Sequence, residues 1–244
     1  MTATEISSQP TWAASGARAV RRLSAVTAAG GLLGLLVGGV GGRLAMMLLA
    51  QLNPDATGRE SDDGFTMGQF TDATFNLLII ATLIGVVGGA IYFVLRGLMI
   101  GPRWFQILSI SVGPAVVVGS QIVTTDGIDF TLDPALLAIA MFVLIPGLYA
   151  ALLTVLAERW MADDGPFARA PLWLTVVPLL LWAPIAPVLG LLVLGLVAFE
   201  AVRRSDRGAA VLAKPVLAQM ARAALVLVFA LALVDLVGDV NTVA

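Results

Sequence analysis

The side chains in this sequence best suited to chemistry are one arginine and six carboxylates. Arg43 follows a run of glycines. Asp62 and Asp63 lie in a polar stretch after it, Asp126 and Asp129 lie in a second polar stretch, and Asp235 and Asp239 stand near the end of the sequence. The last two are four residues apart, which puts them on one face of a helix. Carboxylates gathered in one place can bind a divalent cation through oxygen or concentrate a cationic ligand. An arginine among them pairs with one carboxylate or holds a phosphate. Glu60-Ser61-Asp62-Asp63-Gly64 supplies oxygens and a turn glycine but lacks the spacing of an EF-hand loop, so no defined metal site is read from it. The plain alternative is a set of acidic loops kept in water.

Other chemistries lack their residues. The sequence has no cysteine and no histidine, which removes thiolate nucleophiles, disulfides, imidazole ligation of haem and ordinary zinc sites. It contains no Gly-rich phosphate loop ending in Lys-Ser/Thr, no nucleophile elbow and no His-Glu-x-x-His. Its single lysine, Lys214, does not sit where a retinal Schiff base would need it. A net charge of −2 offers no basic face to nucleic acid. No cofactor and no catalytic residue is expected.

The elements that position these residues are membrane helices. Of the 244 residues 59% are apolar and 12% charged, about half the charge a water-facing surface carries, and mean hydropathy is +0.97. The apolar residues fall in blocks of about 20, the length of a helix that crosses a bilayer. The pattern predicts an all-α, polytopic transmembrane bundle with about seven spans, over residues 24–50, 76–95, 104–123, 135–157, 168–184, 187–203 and 216–236. Residues 1–17 read as a mobile cytoplasmic tail. Residues 18–244 read as one transmembrane domain, with an outer loop over 51–75 that carries a short helix at 67–73. The Arg21-Arg22 pair before an apolar run raises a twin-arginine signal. Leu23-Ser24-Ala25 lacks the bulky apolar pair such signals carry, and no small-x-small site ends the run.

Charge sets the predicted topology. Arginine and lysine collect in cytoplasmic loops. If the Pro-broken stretch 171–201 is one span, the 14 basic residues divide evenly across the membrane. If it is a hairpin around Trp182-Ala183-Pro184-Ile185-Ala186-Pro187, 12 lie inside and 2 outside. The hairpin is therefore preferred, with the N-terminus in the cytoplasm and the C-terminus outside. Arms of about 18 residues are near the lower limit for crossing, so six spans with a re-entrant hairpin are the alternative.

Gly30, Gly34, Gly38 and Gly42 recur every four residues in the first span, and Gly85 and Gly89 offer a counterpart in the second. A face without side chains lets another backbone approach closely, which drives helix association in lipid. The partner is either the second span of the same chain or another subunit. Arg43 and the other charges lie near span ends, where they are expected to snorkel to the interface. Ser and Thr within spans are expected to bond their own backbone or a neighbouring helix. The leading functional expectation is a non-enzymatic component of a bacterial plasma membrane, an accessory or assembly subunit or a homo-oligomer packing through the glycine-rich helix. Alternatives are a channel or facilitator for a small or cationic solute with an acidic outer mouth, and a lipid-handling intramembrane enzyme with Arg43 on a lipid phosphate. Expected partners are the lipid bilayer and another membrane subunit or copy.

Overall fold

The computed structural model describes residues 12–61, 64–123, 130, 132–212 and 214–243. These residues are mostly helical and form no strand. The helices are α1 (Trp12–Leu33), continued by a π-helix (Gly34–Gly41) and α2 (Gly42–Leu52); α3 (Asp72–Leu95); α4 (Arg103–Ile122); α5 (Ala135–Met161); α6 (Pro166–Arg169); α7 (Leu172–Thr175), followed by a 3-10 helix (Val177–Ile185); α8 (Ala186–Arg204); α9 (Asp206–Leu212); and α10 (Pro215–Val243). Among the described residues, six stretches are long and apolar enough to cross a membrane: Ala13–Leu52, Asp72–Leu98, Arg103–Ile122, Ala135–Arg169, Leu172–Arg204 and Pro215–Thr242. Leucines, isoleucines and valines lie exposed along all of them, the pattern expected where lipid rather than water is the solvent. Together these features fit a multi-pass membrane protein.

The centre of the bundle is the contact of α1 with α3. The two run antiparallel at backbone distance. A β-carbon added at Gly30 would collide with the Gly85 carbonyl, one at Gly34 with the Ala81 carbonyl, and one at Gly85 with the Gly30 carbonyl. Gly89 seats against Val26 in the same way. Lipid supplies no hydrophobic drive between helices, so this close approach is a main source of cohesion. The four-residue stripe does not continue. Gly38 meets only the Ala81 methyl at 3.4 Å, and Gly42 has nothing within 4 Å. The π-helix explains the change. Its i→i+5 bonding stacks positions five apart, so Gly39 follows Gly34 onto α3 and would press on Leu78.

The Pro-rich stretch forms a hairpin that turns back partway along α1. Ser24 Oγ donates to the Thr175 carbonyl, Trp182 Nε1 donates to Thr27 Oγ1 at 3.0 Å, and Leu181 lies beside Gly31. The chain leaves helical geometry at Ile185 (φ −122°, ψ 35°), and Pro187 sits in the first turn of α8. α8 then runs back until Arg204 meets Ser15. Along α1, the contacts of the first arm run from Ser24, at Thr175, to Gly31, at Leu181. The stretch Leu172–Arg204 thus has the length and composition of a span, yet both its ends lie at the Ser15–Ser24 end of the bundle.

Two local expectations are corrected. The tail expected over 1–17 is helical from Trp12 onward, because Ala-rich Trp12–Ala19 favours helix and simply extends α1; residues 1–11 lie outside the described residues. The helix expected at 67–73 does not form. Gly68 turns at φ +69°, and Thr71 closes a capping box with Thr74 that starts α3 at Asp72.

Candidate functional site

Arg43 is the second residue of α2, just beyond the π-helix, and is only 3% exposed. It does not snorkel. The reason is the loop between α2 and α3, which folds back over it. Gly58 N donates to Met67 O (3.0 Å), Met67 N to Arg59 O (2.9 Å) and Ser61 N to Phe65 O (2.8 Å), a small hairpin in which Gly58 and Gly64 hold positive φ. Its apolar side chains point inward. Ala56 and Met67 join Leu49, Ala50, Val116, Val123 and Ala138 in one buried cluster. Asn53 ties the loop to the α4–α5 connection, donating to the Asp133 carbonyl at 2.8 Å and accepting from the Asp133 amide at 3.2 Å.

Under this cover the guanidinium of Arg43 is poorly satisfied. Nη1 is 3.9 Å from Met46 Sδ, a weak acceptor, and the Phe70 ring stands over Cζ at 5.6 Å. Among the described residues, Nε and Nη2 are buried without a hydrogen-bond partner. An arginine charge withdrawn from water carries an effective penalty of several kcal/mol unless it is paired. Phe70 itself is 74% exposed. Beside the site lies a cavity of about 260 Å³ lined by Met47, Ala50, Gln51, Pro54, Thr57 and Gly68.

Of the sequence-derived acids only Asp235 and Asp239 are described, and neither pairs with Arg43. Asp62, Asp63, Asp126 and Asp129 lie outside the described residues. Asp235 is exposed and Asp239 half-buried on α10, on either side of Leu236, which joins the cluster beneath the loop. Among the described residues Arg43, Asp235 and Asp239 enter no ion pair, and no three metal-ligating side chains converge. Of the glycines, Gly30, Gly34, Gly85 and Gly89 meet one another, whereas Gly38 and Gly42 stand apart from that contact.

At the opposite end is a polar cluster that sequence reasoning missed. Arg96 holds Glu158 with both Nε and Nη2 at 2.9 Å, and Tyr92 donates to the same carboxylate at 2.8 Å. The signal available was opposite charge at span ends that antiparallel packing brings to one level. The intramembrane hydroxyls are satisfied locally: Thr82 bonds Leu78 O, Thr154 bonds Ala150 O, and Ser111 crosses from α4 to Gly147 O of α5. No protein-family model matches the chain, and neither a curated protein nor a solved structure is significantly similar to it.

Proposed function

We propose that this chain is a non-enzymatic accessory or assembly subunit of a bacterial plasma membrane, with its N-terminus in the cytoplasm and its C-terminus outside, and that it receives an acidic side chain of another membrane subunit on Arg43. The buried Nε and Nη2 of Arg43, which find no partner among the described residues, carry this reading. A charge in that position is a functional residue by default, and an incoming carboxylate supplies the two acceptors a guanidinium fork fits. The return of Arg204 to Ser15 supports the orientation. It keeps Arg203, Arg204, Arg207, Lys214 and Arg222 on the side of Arg18, Arg21 and Arg22, as the positive-inside tendency favours. On this reading five helices cross and the hairpin is re-entrant. The glycine face of α1 serves contacts within the chain, so the subunit contact lies at Arg43 rather than at Gly30 and Gly34.

Native mass spectrometry of the mildly solubilised protein tests the assignment. A stoichiometric second membrane protein should accompany the wild type and Arg43→Lys and be lost with Arg43→Gln. A monomer in all three cases sinks it. A facilitator for a small solute is the second reading, favoured by the half-depth hairpin. An unpaired arginine at the outer end opposes entry of a cation beside it.

A further inference from the structure

The end of the bundle opposite Arg43 holds a second unfilled demand for an anion. Arg18, Arg21 and Arg22 are spaced three and four residues apart, on one side of α1. They face the end of α5 and the start of α6 across a cleft of about 230 Å³. Trp160 and Phe167 form its apolar wall, their rings 5.7 Å apart. Asp163 is the one acid in the lining, so the cleft keeps a net of two positive charges. The contrast with nearby cations is sharp. Arg96 is paired with Glu158, and Arg203 and Arg204 share Glu200. Among the described residues, none of the three cleft arginines enters an ion pair and Arg21 Nε is buried without a partner.

We propose that this cleft binds a phosphate group, that of an acidic phospholipid, between Arg18, Arg21 and Arg22 and the Trp160–Phe167 wall. The shared chemistry is a phosphate oxyanion on guanidinium donors. Free phosphate has the same head chemistry, but the position favours a lipid. Arg22 directly precedes Leu23, the first buried apolar residue of the helix, so the cleft opens where head groups meet hydrocarbon. A tryptophan lining that level is the usual interfacial side chain, and basic pockets between membrane helices take anionic head groups. Binding in detergent does not depend on which leaflet the cleft faces, nor on the role assigned to Arg43.

The test uses the full chain in neutral detergent, titrated separately with phosphatidylglycerol, phosphatidylcholine and inorganic phosphate and read by native mass spectrometry and thermal shift. Phosphatidylglycerol should bind in preference to phosphatidylcholine. The double substitution Arg21→Gln with Arg22→Gln should weaken it roughly thirtyfold, about fivefold per charge, while Arg21→Lys with Arg22→Lys retains most of it. Because the neutral variant could misfold, a second measurement uses the native arginines. Phosphatidylglycerol with brominated chains should quench the fluorescence component that disappears in Trp160→Phe. Inorganic phosphate competing at the concentration where it saturates alone, with no lipid preference, would reassign the cleft to free phosphate and overturn the lipid. Equal phosphatidylglycerol binding by wild type and the Gln variant, or no quenching of the Trp160 component, overturns the site.

Discussion

Arg204 Nη2 donates to Ser15 Oγ at 2.8 Å, joining two residues 189 positions apart. That contact fixes the polarity of everything after α5. With Thr175 already against Ser24, it brings both ends of the hairpin to one end of α1. α10 therefore starts at the end where Arg222 Nε donates to the Leu98 carbonyl at 2.8 Å, and it finishes beside the opposite cluster through Leu236.

Cysteine accessibility checks this path, since the chain has no native cysteine to interfere. Ala14→Cys and Ser205→Cys should react with an impermeant thiol reagent only from the cytoplasmic side, and Glu60→Cys and Asn241→Cys only from outside. Ile185→Cys, at the hairpin tip, should react from neither or slowly from the cytoplasm. Labelling of Ser205→Cys from outside would make the hairpin a single crossing and overturn the topology.

The glycine contact predicts position-specific intolerance. Gly34→Ala places a methyl group against the Ala81 carbonyl and within 2.8 Å of Gly85 Cα, both backbone, so neither yields as a side chain would. Overpacking of this kind costs about 1–3 kcal/mol. Gly42→Ala, with open space at its β-position, should be neutral or slightly stabilising. Thermal unfolding in detergent should separate the two by several degrees, and equal midpoints would mean the helices are not held at backbone distance.

The sequence made the membrane class plain because apolar blocks of span length have few other uses. Charge asymmetry made the return of residues 203–222 plain as well. The depth of the hairpin was not legible. It depends on Trp182 reaching Thr27 and on the 3-10 turn before Ile185, neither of which has a sequence period. The fate of Gly38 and Gly42 was hidden for a related reason. A four-residue stripe assumes α geometry throughout, and the π-helix at Gly34–Gly41 changes the phase midway. Arg43 was recognised as a candidate, but its burial was not legible, because the placement of the Phe70 ring over it follows no sequence period.

Trp182 should be the anchor of the hairpin. It is 1% exposed, the one large side chain between Val177 and Arg204 that is fully buried, and it donates to Thr27. Trp182→Ala removes that bond and leaves a large void, a change that costs about 3–5 kcal/mol in well-packed cores. α8 buries none of its own residues fully and otherwise rests on Leu189 and Leu192 against the core and on Arg204 at Ser15. Limited proteolysis near Ser205 should accelerate in Trp182→Ala and change little in Thr27→Ser, which keeps the hydroxyl. Unchanged cleavage in the alanine variant would mean the hairpin is held from elsewhere.

Arg43 separates a binding role from a structural one by the sign of a stability change. A buried arginine that held the isolated fold together would have its donors filled; here no described residue fills Nε or Nη2. Replacing such a charge by an apolar side chain of similar length removes a desolvation cost without breaking a pair. Arg43→Met should therefore raise the unfolding temperature of the isolated subunit, corresponding to roughly 1–3 kcal/mol, while abolishing retention of its membrane partner. Arg43→Lys should hold the partner but gain no stability. A lowered midpoint in Arg43→Met would show that the Phe70 and Met46 contacts already stabilise the charge, and the assembly role would lose its basis.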